Sequence, residues 1–141
     1  MRVVVDPNVI VSAAISPSGT TGRLLRLGFA GHFEIVASPM LLSEARETLL
    51  RPKFRRWLSE DMANELLTSV EGAADLVDDP SDVIAVVRDP GDDYLVALAR
   101  MASADVIVSG DLDLLELPRS TVAVLAPRDL LNTLERHLGP S

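Results

Sequence analysis

The sequence predicts an α/β fold in which a central parallel sheet carries helices on both faces. Short β-branched or apolar runs alternate along the chain with longer segments whose apolar residues recur at helical spacing. Strands that alternate with helices form βαβ units, which build parallel sheets covered on both sides. The length of 141 residues suits one domain, so we expect a single domain over residues 1–141.

Two predicted strands and three predicted helices occupy the first 50 residues. In chain order they are a strand at residues 3–5, a helix at 9–15, a second helix, a strand at 33–37 and a helix at 39–50. Thr20 or Thr21 is the expected N-cap of the second helix. The first strand is a β-branched run closed by Asp6-Pro7, and proline cannot continue a central strand. Ser38 followed by Pro39 is a typical helix start, and we expect Met40, Leu41, Ala45, Thr48 and Leu49 on its inner face.

The same alternation continues in the rest of the chain. The predicted elements are a helix at residues 59–74, a strand within 75–87, a helix at 93–102, a strand at 106–108, a short capped segment at 112–115, a strand at 122–125 and a helix at 127–137. Ser59 is the expected cap of the first helix, which turns Met62 or Ala63 inward. Residues 89–92, Asp-Pro-Gly-Asp, are typical of a turn.

The composition indicates an apolar core that needs no disulfide. Hydrophobic residues make up 48% of the chain and cysteine is absent. The lack of cysteine excludes thiol catalysis, disulfide frameworks and cysteine-based zinc sites. No apolar run approaches the roughly 20 residues that span a bilayer, and the two residues before the first strand are too few for a signal peptide, so we expect none. We therefore expect a cytoplasmic protein that does not contact a membrane.

Acidic residues follow two predicted strands and open one predicted helix. They are Asp6 after the first strand, Asp92 and Asp93 at the helix start, and Asp111 after the strand at residues 106–108. The carboxyl ends of parallel strands meet at one edge of a sheet, where ligands bind. Glu44, on the helix after the second strand, can lean back towards this edge, and Glu47 one turn further on is an equally good candidate.

Several carboxylates at one place repel each other, and a cation relieves that cost. Ligands that are all oxygen favour Mg²⁺ or Mn²⁺ over zinc, and the typical reaction of such sites is phosphodiester hydrolysis. The net charge of −8 fits this interpretation, although it also favours solubility, and a simple nucleic-acid binder would be basic. Each aspartate can instead cap a turn or a helix, and Glu44 can face solvent.

Four acidic motifs occur in order along the chain. They are Val5-Asp6-Pro7-Asn8, the stretch from Ser38 to Glu44 that continues to Phe54, Asp89-Pro90-Gly91-Asp92-Asp93, and Ser109-Gly110-Asp111-Leu112-Asp113. With these motifs the chain resembles the PIN-domain nucleases, in particular the small bacterial toxins of toxin–antitoxin modules. The resemblance extends over about 130 residues, because residues 124–131 are similar to the last strand and helix of the family.

The resemblance implies a three-layer α/β/α sandwich and a PIN-like site. It implies Mg²⁺ or Mn²⁺ as cofactor, cleavage of single-stranded RNA, a cognate antitoxin and a homodimer. It assigns catalysis and metal binding to Asp6, Glu44, Asp92 and Asp111, with support from Asn8, Ser109, Asp93 and Asp113. It favours Glu44 over Glu47. It also favours Asp92 over Asp93, because Leu95, Ala97 and Ala99 then take the family's apolar positions and Asp93 lies beside the site or in solvent.

One stretch of this acidic chain is basic. Its residues are Arg46, Arg51, Lys53, Arg55 and Arg56. They can contact RNA or acidic parts of an antitoxin, and an ordinary solvated surface is an equally good interpretation. Phe54 and Trp57 can stack on bases, although such residues more often lie in a core.

Three alternatives compete with a nuclease. A phospho-accepting receiver domain also gathers acids and Mg²⁺, but it uses a lysine near the last strands, and the sole lysine here is Lys53. A dinucleotide-binding fold needs a glycine-rich turn after the first strand, where this chain has Pro7-Asn8. A catalytically silent PIN-like binding module stays open, although acids are present at all four motifs.

Overall fold

The structure is a computed structural model that describes residues 1–81, 90–118 and 122–138, without the side chains of residues 90–92. Its sheet contains, in chain order, β1 (Arg2–Val5), β2 (Glu34–Ala37), β3 (Asp75–Leu76), β4 (Val106–Val108) and β5 (Val124–Leu125). The order across the sheet is β3-β2-β1-β4-β5, and all pairs are parallel. The predicted parallel sheet is confirmed, and β1 lies at its centre.

Seven α-helices flank the sheet in the described part of the chain. They are α1 (Pro7–Ile15), α2 (Thr20–Phe29), α3 (Pro39–Leu49), α4 (Glu60–Ala73), α5 (Pro90–Met101), α6 (Leu112–Leu115) and α7 (Pro127–Leu138), and a 3₁₀ helix (Pro52–Phe54) lies between α3 and α4. Helix α5 packs on β1 and β4, whereas α1 packs on α2 and α3. The predicted three-layer α/β/α sandwich is confirmed.

The last three residues of β1 and β2 and all of β4 are apolar and buried, because helices cover both faces of the sheet. Val4 of β1 pairs with Val36 of β2 on one side and Ile107 of β4 on the other. All three side chains are fully buried. This core fixes where β1 and β4 end, and therefore where the acidic residues after them lie.

Local capping sets most helix starts as the sequence predicts. The side chain of Ser38 accepts a hydrogen bond from the N–H of Leu41 (3.4 Å), with Pro39 as the first helical residue. The side chain of Ser59 accepts from the N–H of Met62 (3.1 Å). The predicted threonine cap of α2 is wrong. Gly19 is the N-cap and makes no side-chain bond, while Thr20 is already helical.

Several predicted boundaries and faces shift in the structure. Helix α5 begins at Pro90 rather than residue 93, because proline is already set for the first turn of a helix, so no separate turn spans residues 90–92. Met40 is 57% exposed, since burial in α3 follows Leu41, Ala45 and Leu49. In α4, Ala63 faces the core and Met62 faces solvent. Strands β2 and β5 begin at Glu34 and Val124, later than predicted.

The expected third strand is confirmed as β3, at the start of its predicted range. It consists of Asp75–Leu76 and pairs with β2, while residues 82–87 of that range lie outside the described residues. None of the helices in the described ranges has the length and apolar character that a membrane span requires.

Candidate active site

Asp6 lies at the centre of the carboxyl edge, where β1 ends and α1 begins. It is the N-cap of α1, and its Oδ1 accepts a hydrogen bond from the N–H of Asn8 (2.9 Å). Its own N–H donates to the carbonyl of Val108 on β4 (3.1 Å). The side chain is buried, with only 5% of the residue exposed. Asp6 is therefore both a helix cap and a fixed carboxylate at the edge of the sheet.

Ser109 connects Asp6 to the turn that follows β4. Its hydroxyl is fully buried and donates to Oδ2 of Asp6 (2.7 Å), while the N–H of Asp111 donates back to the same hydroxyl oxygen (3.0 Å). The Oδ1 of Asp111 in turn accepts from the N–H of Asp113 and caps α6 (2.8 Å). Residues from the first and fourth motifs, 103 positions apart at Asp6 and Ser109, thus form one hydrogen-bonded chain.

The third motif opens α5, which packs on β1 and β4. Asp92 lies in the first turn of this helix, and its side chain lies outside the described part of the structure, as does the whole of Asp89. Asp93 is buried, with 6% of the residue exposed. Of the two positions expected for Asp93, beside the site or in solvent, its burial excludes the one in solvent. Which of the two aspartates binds metal stays a prediction.

Glu44 lies in the second turn of α3, the helix that packs on α1. Both Glu44 and Glu47 are exposed, so exposure does not distinguish them. Contact between α3 and α1 places Glu44 on the helix next to the one that Asp6 caps. The choice of Glu44 over Glu47 still depends on the motif, and its approach to Asp6 stays a prediction.

A second polar network joins α5 to residues that follow β2 and β3, and none of its contacts was predicted from the sequence. The hydroxyl of Tyr94 in α5 is hydrogen-bonded to the side chain of Ser38 and donates to Oδ1 of Asp79 (2.5 Å). Asp79 also accepts from the N–H of Met40 (3.1 Å). Tyr94 lies four residues before the buried Leu98, and this spacing places both on the inner face of α5. The same spacing in the sequence could have indicated that Tyr94 is buried.

The predicted basic residues differ in their contacts and exposure. Arg46 is hydrogen-bonded to the side chain of Asn64, and Arg55 to the backbone carbonyl of Leu49. The other members of the set, Arg51, Lys53 and Arg56, are exposed. Trp57 is 55% exposed, so of the two interpretations left open for it, a position in the core does not apply.

The described acids do not by themselves form a complete metal site. Within residues 1–81, 93–118 and 122–138, no three acidic or histidine side chains are grouped closely enough to hold an ion. The donors available at the edge are oxygen atoms, which suit a hard divalent ion.

Parallel strands between two helical layers, with acids after the central strands, define an α/β/α protein with an acidic site at the carboxyl edge. The chain belongs to the PIN-domain family, since the family model described as PIN domain matches residues 2–113. The match covers all four acidic motifs of the sequence. PIN-domain proteins are generally nucleases and typically use divalent metals.

Two known proteins illustrate this relationship. An uncharacterized protein of Methanocaldococcus jannaschii is 33% identical over 118 residues, which cover 83% of this chain and 75% of that protein. One chain in the crystal structure of VapBC2 from Rickettsia felis, bound to a DNA fragment from their promoter, aligns with a TM-score of 0.63. The alignment covers 89% of this chain and 98% of that chain at 13% identity, so it shows the shared fold.

Proposed function

We propose that this protein is a divalent-metal-dependent endoribonuclease that cleaves single-stranded RNA as the toxin of a toxin–antitoxin pair. The observation that carries the proposal is the hydrogen bond from Ser109 to the buried carboxylate of Asp6. It joins two acidic motifs at the carboxyl edge of the sheet, in a chain whose family is generally nucleolytic. Ligands of parallel α/β sheets bind at this edge.

Mg²⁺ or Mn²⁺ fits the residues at this edge. We assign its binding to Asp6, Glu44, Asp92 and Asp111. Each described oxygen of Asp6 accepts a hydrogen bond from a neutral donor, and a carboxylate retains further lone pairs for an ion. When bound, a divalent ion activates water and stabilises charge on the phosphate oxygens.

The residues around the carboxylates hold them in position before a substrate binds. The backbone N–H of Asn8 donates to one oxygen of Asp6, and the hydroxyl of Ser109 donates to the other. The N–H of Asp113 fixes one oxygen of Asp111. Partners of this kind orient metal ligands, and their loss typically costs 10- to 100-fold in affinity or activity, roughly.

The proposed biological setting is a cytoplasmic homodimer that a cognate antitoxin inhibits. VapBC2 of Rickettsia felis, whose fold is similar, was crystallised with promoter DNA. By analogy, we infer that a partner protein encoded beside this chain binds it and blocks RNA from the acidic edge. The acidic edge accepts single-stranded RNA only when a cation reverses its charge, which makes the metal part of substrate binding.

The proposal is tested by incubating the purified protein with a panel of labelled single-stranded RNAs and Mg²⁺, Mn²⁺ or EDTA. We expect cleavage with either ion and none with EDTA. Asp6→Asn and Asp92→Asn should each reduce the rate about 100-fold or more, because each removes a ligand rather than a supporting group. Asp93→Asn is the matched control and should retain much more activity.

Each outcome of this experiment decides a specific part of the proposal. Cleavage that persists in EDTA or in both ligand variants would exclude the mechanism. A larger loss with Asp93→Asn than with Asp92→Asn would reverse the ligand assignment. Folded protein that cleaves no RNA in the panel would support a catalytically silent PIN-like binding module.

A further inference from the structure

The connection between α3 and α4 concentrates positive charge in an acidic protein. We call residues 51–57 the basic–aromatic segment; it has the sequence Arg-Pro-Lys-Phe-Arg-Arg-Trp and includes the 3₁₀ helix. It holds four of the 13 basic residues of a chain whose net charge is −8, and no acid lies between Glu47 and Glu60. Among the described residues, none of these four cations forms an ion pair. The segment therefore keeps its charge available for an anionic partner.

Arg55 anchors this segment to the fold. Its guanidinium donates to the carbonyl of Leu49 at the end of α3, and its Nε and Nη1 are buried without a hydrogen-bond partner in the described residues. Phe54 packs against the core, and the buried Leu58 follows the segment. The basic–aromatic segment is thus anchored to the rest of the protein through Arg55 and Phe54. Its exposed cations are Arg51, Lys53 and Arg56.

Cations and aromatic rings are paired on this surface. The guanidinium carbon of Arg56 lies 5.0 Å from the centre of the Trp57 ring, and Nζ of Lys53 lies 5.1 Å from that of Phe54. Trp57 is 55% exposed although tryptophan is usually well buried. Such pairs place positive charge beside a flat apolar ring, so one site offers both a stacking face and a contact for phosphate.

We propose that the basic–aromatic segment binds single-stranded RNA outside the acidic site, with a base stacked on Trp57 and phosphates held by Arg56 and Lys53. Bound single strands combine stacking on aromatic residues with cationic contacts to the backbone, and this segment presents both. The choice of RNA as the polyanion rests on the proposed function. The segment then supplies substrate affinity that the acidic edge does not.

Trp57 is the sole tryptophan of the chain, so its fluorescence reports directly on the surface. The Asp6→Asn protein in EDTA is titrated with a single-stranded 12-nucleotide RNA, which measures binding without cleavage. We expect the fluorescence to be quenched. In parallel, the anisotropy of the labelled RNA should show that Trp57→Ala weakens binding about 5- to 100-fold, whereas Trp57→Phe retains most of it.

The charge contribution is measured by the dependence of binding on salt. Arg56→Ala should lower the slope of log Kd against log salt concentration by about 0.7, the value for one lost phosphate contact on a single strand. Arg136→Ala is the matched control, because Arg136 is an exposed arginine in the last turn of α7 and should leave the slope unchanged. Circular dichroism verifies that each variant is folded.

Three results would overturn the proposal. They are unquenched fluorescence with bound RNA, unchanged affinity in Trp57→Ala and Arg56→Ala, and polyglutamate binding to the segment as tightly as RNA does, which would indicate an acidic protein partner. Cleavage kinetics separate this proposal from the proposed function. If the nuclease is real and the segment binds substrate, Trp57→Ala raises KM and leaves kcat unchanged. If cleavage is absent, binding in EDTA still tests the segment.

Discussion

At the scale of single residues, the hydroxyl of Tyr94 joins α5 to the ends of two strands. It contacts Ser38 after β2 and Asp79 after β3. Burial, followed by the hydrogen bond to Asp79, raises the pKa of Tyr94, so the phenol stays neutral and continues to donate even at alkaline pH. This contact holds the first turns of α5 against the sheet, and that part of the helix also carries Asp92 and Asp93.

Because of Asp79, we expect the protein to lose stability as the pH falls into the acidic range. Burial raises the pKa of its carboxyl group, but hydrogen bonds from Tyr94, the N–H of Met40 and Ser38 outweigh burial and lower it overall. A lowered pKa in the folded state stabilises the protein above the unfolded value of about 3.9. That stabilisation is lost as the pH falls through the folded pKa.

We predict that Asp79→Asn lowers the free energy of unfolding by about 1 kcal/mol at pH 7, since it removes a charged hydrogen-bond acceptor. The difference from the unsubstituted protein should shrink as the pH falls below about 4. Urea denaturation between pH 3 and pH 7 measures it. Asp78→Asn, at an exposed neighbour, is the control and should have little effect. A difference for Asp79→Asn that is the same at pH 3 and pH 7 would contradict this assignment.

At the scale of elements, α2 packs against the turn that precedes it through a glycine. A Cβ at Gly22 would lie 2.1 Å from the carbonyl oxygen of Pro17, which is backbone and cannot rotate away. Gly72 in α4 has nothing within 4 Å of the same position. Close packing therefore leaves no room for a side chain at position 22, whereas position 72 has room for one.

We predict that Gly22→Ala destabilises the protein by about 1 to 3 kcal/mol, the usual cost of overpacking. Gly72→Ala should instead stabilise it by up to about 1 kcal/mol, because alanine favours a helix more than glycine does. Both are measured by thermal or urea unfolding of the purified variants. Equal effects of the two substitutions would show that the close approach of α2 to Pro17 does not constrain the fold.

At the scale of the whole molecule, the fold contains one acidic region and one basic region that bear on the proposed function. The carboxyl edge of the sheet carries Asp6, Asp111 and Asp113, while the basic–aromatic segment lies in the connection between α3 and α4. Under the proposed function, the ion and the segment together offset the negative charge that would otherwise repel RNA. The acidic balance of the chain is then compatible with a nucleic-acid substrate.

We predict that Mg²⁺ or Mn²⁺ raises the melting temperature, because an ion that binds only the folded chain stabilises it by mass action. The gain is about 2.7 kcal/mol at an ion concentration 100 times the Kd, which corresponds to several degrees. Differential scanning calorimetry with ion or EDTA measures it. Asp6→Asn should abolish the rise and Asp61→Asn, exposed in the first turn of α4, should retain it. An equal rise in both variants would show that the ion binds elsewhere.

Patterns of neighbouring residues were sufficient to predict most elements. The apolar run before Asp6, the Ser38-Pro39 start of α3 and the Ser59 cap of α4 each act within a few residues, so the chain encodes them locally. Predictions of burial were wrong where two neighbouring apolar residues were equally suitable and only tertiary packing decided which one is buried. Met40 is as apolar as Leu41, yet only Leu41 meets the core.

The candidate site follows the same division. Parallel strands place Asp6 and Asp111 at one edge, and this was predictable from the alternation of strands and helices and the rule for carboxyl ends. That β1 and β4 are neighbours was shown only by the structure. The family motif predicted a supporting role for Ser109, but not that its hydroxyl donates to Asp6. The burial of Asp93 and the network of Tyr94 were not predictable, because they depend on packing between elements far apart in the chain. Family motifs proposed the residues, while only packing shows which atoms meet.

The sequence by itself determined the alternation of strands and helices, the apolar centre of the sheet and the acids that follow β1 and β4. These features depend on residue spacing, and spacing is a property of the chain alone. The tertiary structure alone decided that Ser109 holds Asp6, that Tyr94 ties α5 to Asp79 and that Trp57 is exposed beside Arg56. Such contacts depend on which faces of distant elements pack together, because a side chain is buried or paired only by what the fold brings next to it.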